Sequence, residues 1–112
     1  MLHEKSVKIS KETVGLINKL FLSKKYELTD HAIHRMSERN ISDFDVYECG
    51  CYGKAIECQF HGRDFKVLLH KIINNRQIYI VTTVEEPSTV ITVCLMLEQL
   101  WDDMGELGFK RK

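Results

Sequence analysis

The chain has 112 residues, 16 basic and 16 acidic side chains, and 44% apolar residues when Tyr and Cys are counted. That length suits one hydrophobic core and not two, and the composition excludes wholesale disorder or a collagen-like chain. A formal net charge of zero excludes a uniformly basic nucleic-acid coat, and no apolar run is long enough to span a bilayer.

The first residues, Met1-Leu2-His3-Glu4-Lys5, lead into no hydrophobic stretch. The expectation is therefore no signal peptide, no membrane contact and a cytoplasmic location. Charge is segregated along the chain. Residues 1–25 hold six Lys against two Glu, and 26–53 hold two Arg against six acids. Residues 54–76 hold five bases against two acids, and 77–106 hold six acids and no base. Such blocks suit a basic face for an anion and an acidic face for a basic partner, or simply a solvated surface.

The elements are read in chain order as a single domain over 1–112. Ser10 caps a helix running to about Ser23, with Val14, Ile17, Leu20 and Phe21 as its apolar stripe. Thr29 caps a second helix, Asp30 suits its positive end, and Asn40 is a left-handed stop. Leu28 is placed to staple against Ile33. Ala32, Ile33 and Met36 form the side that faces the sheet. Ser42 caps a third, short helix, with Asp45 at the capping-box position and Gly50 ending it or opening the loop through Gly53.

The period then changes to two. Lys54 to Phe60 sets Ile56, Cys58 and Phe60 against Ala55, Glu57 and Gln59, and the turn His61-Gly62-Arg63-Asp64 follows. Phe65 to Ile72 is the second strand, and Asn74-Asn75 is a turn. Arg76 to Val84 is the third strand, and Thr89 to Leu97 the fourth after the turn Glu85-Glu86-Pro87-Ser88. Glu98 to Leu107 forms a candidate terminal helix, with Leu97, Leu100, Trp101 and Met104 to one side. The expected fold is α+β: N-terminal helices packed on one face of a four-stranded antiparallel β-meander. The other face is free or covered by the C-terminal segment.

Cys49, Cys51, Cys58 and Cys94 should be reduced in the cytosol. Cys49-Gly50-Cys51 is a C-x-C, not the C-x-x-C of common zinc sites. Cys58 and Cys94 sit in apolar strand-like runs, where a thiol is usually a small hydrophobe. With His61 and His70 these four could supply metal ligands only if the fold gathered them. No metal or cofactor is expected.

The second helix carries the chemistry. His31, Arg35, Glu38 and Arg39 recur at i, i+4, i+7 and i+8 and line the border between core and solvent. Guanidiniums grip a phosphate through two donors at any working pH. An imidazole exchanges a proton near neutrality. RNA cleavage needs a base for the 2′-hydroxyl, an acid for the leaving oxygen, and cations for the charge on phosphorus. The bland alternative is a set of surface ion pairs on a core helix, including His34 with Glu38, each worth under about 1 kcal/mol.

The stretch LTDHAIHRMSERNISDFDV resembles an uncharacterised family of small bacterial domains with the pattern H-A-x-x-R-M-x-x-R-x-I-S. The matching residues are His31, Ala32, Arg35, Met36, Arg39, Ile41 and Ser42, followed by Asp43 and Asp45 and later by Thr92-Val93. The likeness covers about 28–95. The helix at 10–23 and the extension at 97–112 lie outside it. That family resembles compact toxin ribonucleases of the RelE, colicin and barnase type. The resemblance implies a metal-independent endoribonuclease, with RNA (free or ribosome-associated) as substrate and a protein antitoxin as partner. It implies His31 as acid or base, Arg35 and Arg39 as phosphate ligands, and Thr92 as a weaker candidate. Tyr79, Lys66 and His70 are added from the residues themselves. Tyr79 is read as an exposed mid-strand ring able to stack a base, and the other two as one strand face extending a basic groove. Their alternative is an ordinary cross-strand contact and a solvated face. The competing reading of the whole chain is a non-enzymatic module that binds a protein through a strand edge or the Trp101 region.

Overall fold

The computed structural model describes residues 10–61 and 64–104, with the backbone alone at 59–61 and 64. The segments 1–9, 62–63 and 105–112 lie outside the described residues. So do the middle of the expected turn at 61–64, the side chain of His61, and the end of the expected terminal helix.

Helix α1 (Lys11–Leu22) starts where Ser10 accepts a hydrogen bond from Thr13 N. It buries Ile17, Leu20 and Phe21. Strand β1 (Tyr26–Leu28) follows. Helix α2 (Asp30–Arg39) begins at the Thr29 cap and stops at Asn40, whose φ of 55° is left-handed. Helix α3 (Asp43–Tyr52) opens on a complete Ser42/Asp45 capping box. Gly50 does not end it: the helix runs on to Tyr52 and is capped at Gly53. The reason is a close crossing. A Cβ at Gly50 would lie 2.1 Å from the Phe21 ring, so glycine is what lets α1 and α3 approach.

Four strands come next: β2 (Lys54–His61), β3 (Asp64–Ile73), β4 (Arg76–Thr83) and β5 (Ser88–Cys94). Asn74 and Asn75, with φ of 53° and 66°, make the tight β3–β4 turn. The meander is antiparallel as expected, but the sheet has five strands in the order β1-β5-β4-β3-β2. The addition is β1, which pairs parallel with the first half of β5 (Tyr26↔Ser88 to Leu28↔Val90). Three residues before a strong helix cap show too little alternation to register as a strand, so the sheet is mixed rather than purely antiparallel.

Two bulges change which side chains face where. A register shift between Ala55 and Glu57 resets the parity of β2. Cys58 is buried and Ala55 packs on the core, while Ile56 is 51% exposed, which corrects the expected inward row. In β5, Val81↔Thr92 is followed by Thr82↔Val90, leaving Ile91 as the extra residue. Val90 and Val93 therefore both face the main core, while Thr92 and Cys94 face the opposite side.

The main core lies between the sheet and α1, α2 and α3. It contains Phe21, Ala32, Met36, Val46, Val67, Leu69, Ile78, Ile80 and Val93. Ile33 is 50% exposed, contrary to expectation, because α2 is turned so that Ala32 and Met36 meet the sheet. The other face carries a smaller cluster of Leu68, Val81, Cys94 and Leu100, the last from α4 (Leu97–Met104). No helix among the described residues is long and apolar enough to cross a membrane.

Candidate functional site

Because β1 ends beside Val90, the second half of β5 has an open edge. Helix α2 covers it. Thr29 N donates to Val90 O, Thr29 Oγ1 donates to Ile91 O at 3.1 Å, and Arg39 Nη1 donates to Val93 O at 2.9 Å. These bonds satisfy edge carbonyls that a sixth strand would otherwise claim. They also carry the guanidinium of Arg39 around the edge to the face beneath α4.

There the stripe of α2 converges on one carboxylate, Asp103 of α4, whose side chain is fully buried. Arg39 Nη1 donates to Oδ2 at 2.8 Å and Nη2 to Oδ1 at 3.3 Å, a two-point clamp. Thr92 Oγ1 donates to Oδ2 at 2.7 Å. Arg35 Nε lies 3.0 Å from Oδ1, yet its N–H is out of line and buried without a hydrogen bond. His31 Nε2 stands 3.9 Å from Oδ2, beyond hydrogen-bond reach, and its side chain is 41% exposed. Cys94 Sγ is 3.7 Å from the same oxygen. His31, Arg35, Arg39 and Thr92 are thus brought together.

The electrostatics are balanced. Two guanidiniums face two carboxylates, because Arg35 Nη1 also donates to Glu38 Oε1 at 2.7 Å. Burial works to raise the Asp103 carboxyl. Hydrogen bonds from Arg39 and Thr92, with the charges of Arg39 and Arg35, outweigh burial and hold it below the usual carboxylate range. Its hydrogen bond to Glu38 is the main reason Arg35 is held above the ordinary guanidinium value. Burial and the neighbouring Asp103 charge push the Cys94 thiol up to about 12, so Cys94 is a neutral packing group and no nucleophile near neutrality. On the outer side His34 Nε2 lies 3.2 Å from Glu38 Oε2, as the ordinary surface-pair reading anticipates.

The weaker candidates form a continuation of the site. Register runs Cys94↔Tyr79, Tyr79↔His70, His70↔Lys54, a row across four strands on the α4 face of the sheet. Tyr79 is half-buried rather than exposed, with its ring 4.7 Å from that of His70. His70 Nε2 also meets Gln77 Oε1. The cross-strand contact given as the alternative for Tyr79 is thus present, and its exposure is less than the stacking reading expected. Lys66 shares this face of β3 with His70, one register row beyond Leu68 and Val81. At the far end of the row Tyr52, Lys54, His70, Lys71 and Ile72 line a cleft.

One site residue escaped sequence reading, Asp103, while Cys94 packs as the small hydrophobe its apolar strand run suggested. Asp103 had a signal. It lies three residues after Leu100 and one before Met104, on the packed side of α4, and an acid on an apolar face implies a cation inside. Within the acidic 85–106 segment, Asp103 pairs with two arginines of the chain's own α2. The four cysteines are free and buried. Among the described residues no three His, Cys, Asp or Glu side chains gather to hold a metal.

A family model described as a domain of unknown function, DUF4258, matches residues 28–94. That span holds α2, α3, the whole sheet except the first two residues of β1, and every basic and hydroxyl group of the site. It ends before α4. No curated protein and no solved structure matches.

Proposed function

The chain belongs to the DUF4258 family, and from that membership and the site just described we propose that it is a toxin-like, metal-independent endoribonuclease. The observation that carries the reading is the convergence of His31, Arg35, Arg39 and Thr92 on one bound carboxylate. Donors arranged around a carboxylate suit a phosphodiester, whose oxygens accept the same bidentate and hydroxyl hydrogen bonds. Arg35 and Arg39 would hold the phosphate and stabilise the added charge of the phosphorane. His31, on the exposed rim, would take the 2′-hydroxyl proton as that oxygen attacks phosphorus, or give a proton to the 5′-oxygen as its bond to phosphorus breaks. The products would be a 2′,3′-cyclic phosphate and a 5′-hydroxyl end. The row of Tyr79, His70 and Lys54 would carry the flanking nucleotide by stacking and charge. A protein antitoxin is the expected partner of such an enzyme.

One observation favours a second reading, a non-enzymatic module. The two Arg already have carboxylate partners, so the motif can serve purely to lock α2 and α4 to the sheet. The readings part on one experiment: purified protein incubated with total RNA in chelator, wild type against His31→Ala. His31 is 41% exposed and makes no hydrogen bond to Asp103, so its loss should leave the fold intact by circular dichroism. The nuclease reading expects cleavage to fall by about a hundredfold or more. No cleavage by either protein, on free RNA and on ribosomes, favours the module, whereas equal cleavage by both means contamination or a site built elsewhere than at His31.

A further inference from the structure

The carboxylate that fills the site belongs to the protein itself. We propose that Asp103 is an internal stand-in for a phosphate group. In this view α4 closes over an anion pocket made by Arg35, Arg39 and Thr92, and a polynucleotide phosphodiester entering that pocket displaces it. The proposal rests on the basic pocket of the reading above and not on catalysis.

The donor set exceeds what Asp103 uses. Its Oδ2 takes Arg39 and Thr92, and its Oδ1 takes the second arm of Arg39. The Arg35 Nε–H is then left buried with no acceptor in line, 3.0 Å from Oδ1. A buried charged donor without its hydrogen bond is costly. The carboxylate is already oriented by the Arg39 pair and the Thr92 hydroxyl, and in that orientation it does not meet the Arg35 N–H. A tetrahedral phosphate brings further oxygens and is free to rotate, so it can take the Arg39 pair, the Thr92 hydroxyl and the Arg35 N–H together. His31 at 3.9 Å stands one small shift from the same anion.

The lid is lightly built. Among the described residues helix α4 spans Leu97–Met104, and it rests on the sheet through few apolar side chains. Leu100 is its fully buried apolar anchor, while Leu97 and Met104 are half-buried. Gln99 Oε1 accepts from Leu95 N at its base. The pocket and the lid also differ in family coverage: Arg35, Arg39 and Thr92 lie inside the 28–94 match and Asp103 outside it. Exchange of one anion for another never leaves Arg39, 12% exposed, as an uncompensated charge, while Arg35 keeps Glu38 throughout.

The test uses full-length protein in chelator at constant ionic strength. Wild type and Asp103→Asn are titrated calorimetrically with inorganic phosphate and with a 2′-O-methyl RNA oligonucleotide, which resists cleavage. If the closed lid competes with ligand, Asp103→Asn binds both about tenfold or more tightly than wild type. Equal affinity in a folded Asp103→Asn protein overturns the proposal. Tightening for inorganic phosphate alone overturns the phosphodiester as its occupant. Should Asp103→Asn fail to fold, wild type decides by hydrogen exchange. Saturating phosphate should speed exchange of the 97–104 amides while β4 stays protected, and unchanged or slower exchange there overturns the lid. Binding that tightens in a protein that cuts no RNA removes the nuclease reading and keeps this one. RNA cleavage without tightening does the reverse.

Discussion

Asp103 joins three elements through one side chain, since α4, α2 and β5 all meet at its two oxygens. Its carboxyl is harder to protonate in the folded protein than in the unfolded chain. A group with a lowered folded pKa stabilises the fold fully above its unfolded value, and that stability drains away as pH falls through the folded value. Removing the charge should therefore matter near neutrality and not in acid. In urea unfolding, Asp103→Asn is expected to lose about 1–3 kcal/mol at about pH 7, below the full figure for a broken buried pair because the amide keeps one acceptor and Arg35 is partly solvated. The wild-type and variant curves should converge only at the acid end, below the ordinary carboxylate range. Curves that stay parallel to the acid end would mean the carboxylate adds no charge-dependent stability.

At the scale of elements, α2 does two jobs with two adjoining stripes. Ala32 and Met36 bury against the sheet, while Thr29 and Arg39 satisfy the open edge of β5. The edge exists because β1 is three residues long, and the Ile91 bulge turns Thr92 toward the pocket that α2 thereby reaches. Helix α1 and α3 are coupled differently, by close contact. A Cβ at Gly50 would meet three atoms of the Phe21 ring within 2.4 Å, whereas one at Gly15 would meet nothing within 4 Å. The two glycines should thus respond with opposite signs. Gly50→Ala is expected to cost about 1–3 kcal/mol by overpacking. Gly15→Ala, exposed in a helix interior, is expected to gain about 0.5–1 kcal/mol. Thermal unfolding followed by circular dichroism reads both, at about 4–8 °C per kcal/mol for a chain near this size. A neutral Gly50→Ala would mean the α1–α3 crossing can widen.

Across the whole molecule, stability should be graded from the sheet centre outward. Strand β4 is third of five in the sheet order, pairs on both edges, and buries Ile78, Ile80 and Val81 completely. Helix α4 leans on the opposite face through a small cluster. Native-state hydrogen exchange should find β4 amides opening only with global unfolding and α4 amides opening at markedly lower free energy. Equal protection in the two would make α4 part of the cooperative core and would weaken its case as a lid. On the lid proposal, that grading would give the pocket a less stable partner in α4 and more stable ones in α2 and β5.

Much of this was legible in the sequence because it is local. Ser10, Thr29 and Ser42 announce their helices through backbone bonds three residues on, and Asn74-Asn75 can adopt the left-handed backbone of a tight turn. The stripe His31, Arg35, Arg39 follows from the pitch of one helix. What tertiary structure alone decided depends on elements far apart in the chain. Three residues at 26–28 become a strand only because β5 offers an edge to pair with, and short-range alternation holds no trace of that. The Ala55/Glu57 and Ile91 bulges shift the inward row, since parity is set by the partner strand and not by the sequence of one strand. Above all, the sequence determined that two guanidiniums and an imidazole share a helix face. Only the fold decided that a carboxylate 64 residues beyond Arg39 would sit between them, because the meeting depends on α4 crossing the second face of the sheet.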